Sequence, residues 1–97
     1  MNILLVCAGG MSTSILMKKM EKFWAEKGVD LNIKAVGVSA YEENAKDFDV
    51  ILMGPQVRYK LDEVKEKTGL PTEMINGMDY AMGNCENIFK QVEKMYK

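Results

Sequence analysis

Histidine is absent from this 97-residue chain, which removes the commonest general base and the commonest metal ligand together. Cysteine is scarce: Cys7 and Cys85 stand far apart, form no Cys-x-x-Cys pair and alone cannot close a zinc site. They suit a reducing compartment in which thiols stay free. No excess of one charge is present, with 13 Lys+Arg against 14 Asp+Glu and a net charge of −1. A nucleic-acid partner is therefore not expected, because it would need a concentrated basic face. Long apolar runs are missing too. The stretch Ile3–Cys7 falls far short of the roughly 20 residues that span a bilayer, and it lacks the charged lead of a signal peptide. The expected address is cytoplasmic.

What is present is the composition of a soluble globule, 47% hydrophobic and 28% charged, of a size suited to a single domain over residues 1–97. Apolar runs alternate with helical patterns. Asn2–Val6, Leu31–Val38, Asp49–Met53 and Thr72–Ile75 read as strands. Ser12–Lys27 reads as a helix with Ser12 as cap, Gly28 as stop, and Ile15, Leu16, Met20, Phe23 and Trp24 along its apolar face. A short turn of helix is expected near Tyr41–Lys46 with Ser39 as candidate cap, a helix over Val57–Lys67 closed by Gly69, a loop after Asn76-Gly77, and a last helix from about Asn84 to Met95.

Strands apolar on both faces, alternating with helices, imply an α/β fold: one three-layer domain, flavodoxin-like, whose four-stranded parallel sheet in order 2-1-3-4 is flanked by helices. Ligands of such sheets gather beyond the carboxyl ends of the strands where the order reverses. In this order Cys7, after the first strand, and Gly54-Pro55-Gln56, after the third, should be neighbours.

The segment Cys7-Ala8-Gly9-Gly10-Met11-Ser12-Thr13-Ser14 carries the chemistry. A thiol at a strand tip, two glycines and three hydroxyls leading into a helix suit a small anion cradle, because unpaired N–H groups and the helix dipole converge there. The same field favours a thiolate. A nucleophile inside a phosphate-sized cradle points to phosphoryl transfer on sulfur. The bland alternative is a small buried residue followed by a turn.

Cysteine-dependent phosphatases place an arginine after five residues; here that position holds Thr13. Without the fixed bidentate charge of Arg, the loop should hold a thiophosphate yet hydrolyse it poorly. A carrier is favoured over a low-molecular-weight phosphatase or arsenate reductase, and a non-catalytic anion-binding module is the remaining rival.

Together with Gly54-Pro55-Gln56-Val57-Arg58-Tyr59, the loop is similar to that of the IIB component of the bacterial sugar phosphotransferase system, lactose/cellobiose (chitobiose) type. The resemblance extends over essentially the whole chain. Gly10 departs from it, standing where alanine is usual. The resemblance implies that Cys7 accepts a phosphoryl group from a phosphohistidine on a IIA component. It then passes the group to a sugar held by the membrane component IIC, at whose inner face the protein would work transiently. It implies no cofactor and no metal. Ala8, Gly9, Gly10, Met11, Ser12, Thr13 and Ser14 would surround the phosphocysteine, with Gln56, Arg58 and Tyr59 in the adjacent loop. A β-linked disaccharide is the implied cargo.

Other residues have plainer readings. Met17, Met20, Met53 and Trp24 are expected in the core, and Cys85 on a helix face. Met11 is a candidate contact for a docking partner. Arg58 and Lys60 belong at the rim, and Asp79 and Tyr80 in the loop after the fourth strand, also on the functional end of the sheet.

Overall fold

The computed structural model describes residues 1–7 and 12–95, with side chains in the first helix described from residue 15 onward. Four parallel strands, β1 (Asn2–Cys7), β2 (Asn32–Gly37), β3 (Val50–Met53) and β4 (Thr72–Met74), form one sheet in the order β2-β1-β3-β4. The expected order is met. Ile3 lies opposite Ile33 on one side and Val50 on the other, and Met53 opposite Val6 and Met74. The six-residue β2 and the three-residue β4 are the edges.

Side chains alternate across a strand, and here both faces are covered. Ile3, Leu5, Val50 and Leu52 pack under α1 (Ser12–Glu26) and α5 (Cys85–Met95) through Leu16, Met20, Trp24, Ile88 and Val92. Leu4, Val6, Ile51 and Met53 pack on the opposite face with Tyr41, Ala45, Val57 and Val64, from α2 (Tyr41–Asn44), the 3-10 turn Ala45–Asp47, the 3-10 segment Pro55–Lys60 and α3 (Leu61–Thr68). Every residue from Ile3 to Val6 and from Val50 to Met53 is fully buried. That explains why these strands read as continuous apolar runs.

Four local expectations need correction. Ile15 is 62% exposed, because the buried stripe of α1 runs Leu16–Met20–Trp24, with Met17 and Phe23 on its flank. The residue capping α2 is Ala40 rather than Ser39, with no side-chain bond. Val57–Lys67 is not one helix. Val57 has φ −114° and ψ 20°, so the 3-10 segment is interrupted there and α3 starts at Leu61. Finally, residues after Asn76 are helical: α4 spans Gly77–Met82, and the Asn76 side chain accepts a bond from the Met78 N–H. Helix stops behave as read, since Gly28 and Gly69 have φ of +75° and +68°, which favour glycine.

Candidate functional site

Parallel strands bring their carboxyl ends to one edge of the sheet, so Cys7, Gly37, Gly54 and Ile75 share it. The Gly54 N–H donates to the Val6 carbonyl at 2.9 Å and the Ile75 N–H to the Met53 carbonyl at 2.8 Å. These bonds join the segments that leave β1, β3 and β4. The neighbourhood expected for Cys7 and Gly54-Pro55-Gln56 is present.

Cys7 closes β1 opposite Gly37 and is only 5% exposed. Its Sγ donates to the Val36 carbonyl at 3.6 Å. Beside Cys7, around Gly54, other side chains converge. A Cβ built on Gly54 would lie 2.9 Å from Gln56 Oε1, 3.7 Å from Cys7 Cβ and 3.7 Å from Tyr80 Cε2. Its φ of −65° suits any residue. Space, not backbone conformation, is what glycine supplies at this position.

Among the candidate residues, the structure brings Gln56 towards Cys7. Arg58 and Tyr59 lie exposed on the 3-10 segment, Tyr59 at 72%, and their side chains make no hydrogen bond or ion pair among the described residues. Lys60 pairs with Glu63 at 3.4 Å. Ala8, Gly9, Gly10 and Met11 lie outside the described residues. Ser12, Thr13 and Ser14 open α1, and their side chains lie outside them also.

Tyr80 stands at the functional end of the sheet, as expected, but on a helix rather than in a loop. It sits on α4, its N–H bonded to the Asn76 carbonyl at 2.9 Å, and its ring reaches the Gly54 side of the site. It also lines a cleft of about 190 Å³ with Ile15, Leu16, Lys19, Ala81 and Gly83. The signal for this helix was in the sequence: Asn76 is a favoured N-cap and Asp79 an acidic first-turn residue.

Cys85 opens α5 and is buried, and that burial pushes its thiol up from the ordinary value, partly offset by nearby Lys19. It is the less readily ionised kind of cysteine. Among the described residues no group of three or more His, Cys, Asp or Glu is placed to hold a metal, and no helix is long and apolar enough to cross a membrane.

A doubly covered parallel sheet with a cysteine at the end of its first strand defines the class, a flavodoxin-like α/β protein. Residues 2–91 match the family described as PTS system, Lactose/Cellobiose specific IIB subunit, and the chain belongs to that family of phosphotransferase-system components. It is 36% identical to the PTS system galactose-specific EIIB component of Lactococcus lactis subsp. cremoris, over 96% of this chain and 94% of the relative. The solution structure of the cellobiose-specific phosphotransferase IIB component from Borrelia burgdorferi superposes with a TM-score of 0.81 at 37% identity, covering 99% of this chain and 91% of that one. The chain is also 32% identical, over 81% of its length, to a PTS system lactose-specific EIICB component of Lactococcus lactis, of which it spans 14%.

Proposed function

We propose that residues 1–97 form one phosphocarrier domain in which Cys7 relays a phosphoryl group from a phosphohistidine on IIA to a sugar held by membrane-embedded IIC. The observation that carries this is the position of Cys7. It is a nucleophile at the strand end, beside the turn after β3, in a chain with no histidine to take its role. Once the thiol has lost its proton to water, the sulfur pair attacks phosphorus in line. An S–P bond forms, the P–N bond breaks, and its electron pair returns to the imidazole. In the second half a sugar hydroxyl attacks, the S–P bond breaks to restore the thiolate, and a base on IIC takes the hydroxyl proton. The loop 8–14 would supply N–H and O–H donors to the phosphoryl oxygens.

Fusion of a IIB-like segment into an EIICB relative supports IIC as the receiving partner. The work would then be done on the cytoplasmic side, at the inner face of the membrane. The cargo would be a β-linked disaccharide of the cellobiose, chitobiose or lactose kind, chosen by the pocket of IIC. No metal or other cofactor takes part in this scheme.

Incubation with a phosphorylated IIA of the lactose/cellobiose type should add the mass of one phosphoryl group at Cys7. Cys7→Ser should abolish sugar phosphorylation and leave the fold intact. Transfer retained by that variant would contradict the role of Cys7. Rapid partner-free turnover of a chromogenic phosphate ester would favour the phosphatase reading instead. A wild type that takes up no phosphoryl group would favour a binding module.

A further inference from the structure

We propose that Gln56 is a side chain, additional to loop 8–14, that hydrogen-bonds the phosphoryl group on Cys7, and that residue 54 is glycine to leave room for it. The inference rests on the carrier reading above.

Its first support is convergence on one point. The Gln56 carboxamide oxygen lies 2.9 Å, and Cys7 Cβ 3.7 Å, from the place a Gly54 side chain would occupy. Gln56 Oε1 and Cys7 Cβ, the carbon that bears the sulfur, can be no further apart than those two distances end to end, so a phosphoryl group on that sulfur, turned toward Gly54, would come within reach of the carboxamide. A methyl at residue 54 would crowd the carboxamide oxygen and turn this flexible side-chain end aside.

The second support is availability. Gln56 has no hydrogen-bond partner among the described residues and is exposed. The carboxamide carries two N–H donors beside its oxygen, and a half-turn of the amide exchanges them without altering its shape. The third support is chemical. A carrier must bind its phosphoryl group well enough to receive it and loosely enough to release it. A neutral donor stabilises the crowded oxygens in the transition state without the persistent grip of a guanidinium. Arg58, the one arginine in the chain, is exposed two residues further on, and its side chain makes no hydrogen bond or ion pair among the described residues.

The test is single-turnover transfer from a phosphorylated lactose/cellobiose-type IIA to the full chain, with thermal unfolding of each variant as the fold control. Gln56→Ala should slow phosphorylation of Cys7 about tenfold, less than the 10²–10³ typical of a buried oxyanion donor because water reaches this side chain. Gln56→Glu keeps the shape but sets an anion beside the phosphoryl oxygens, and should slow transfer more than the alanine variant does. A residue that only supports the fold would give the reverse order. Gly54→Ala should slow wild-type transfer by displacing the carboxamide, yet cost little more once Gln56 is already alanine. Wild-type rates in Gln56→Ala and Gln56→Glu would overturn the inference while leaving Cys7 as carrier. A wild type that gains no phosphoryl mass would overturn the carrier reading, and this inference with it.

Discussion

Among single side chains, the pair Tyr41–Glu63 shows how one contact sets a pH response. The Tyr41 hydroxyl donates to Glu63 Oε2 at 3.1 Å. That bond, aided by the charges of Lys60 and Lys67, holds the Glu63 carboxyl below its ordinary value. A carboxylate lowered on folding stabilises the protein above its unfolded value, and the gain is lost as pH falls through the folded one. The Tyr41 hydroxyl is pushed up, by burial first and by Glu63 second, so its contribution holds through neutral pH and fails only in strong alkali. Glu63→Gln should therefore lower the melting temperature at pH 7 more than at pH 3, measured by thermal unfolding in matched buffers. Equal losses at both pH values would refute the linkage.

Elements tell which parts of the architecture could be read in advance. The strands were legible because Ile3–Val6 and Val50–Met53 are apolar without a break, and only burial on both faces explains such runs. The helix α4 was not, because it buries no residue and so offers no periodic stripe; its only marks are a cap and a first-turn acid. Asn76→Ala should cost about 1 kcal/mol. The loss should be seen as a lower urea midpoint and as faster amide exchange at Tyr80, whose N–H bonds the Asn76 carbonyl. The interruption at Val57 was equally hidden, since Val57, Leu61 and Val64 keep helical spacing whether or not the backbone is continuous. At the site, Cys7 and its neighbour Gln56 followed from strand order alone. Tyr80 was expected at this end of the sheet too, but in a loop, and the helix that carries it was not legible.

Across the whole molecule, the two faces of the sheet share the strands β1 and β3, so damage to one core layer is transmitted to the other. Leu52 is fully buried beneath α1 and α5. Leu52→Ala should cost about 2–5 kcal/mol, a large share of the roughly 5–15 kcal/mol that holds such a fold together. The measurement is the midpoint of urea unfolding, and a change below about 1 kcal/mol would contradict so tight a packing.

The outermost strands have a consequence of their own. β4 offers only three residues to a newcomer and follows Pro71, while β2 carries Lys34 on its rim, its ammonium bonded to Asn44 Oδ1 at 2.7 Å. Proline, lysine and brevity each discourage a stray strand from zipping on. The chain thereby gains protection against sticking to its own copies.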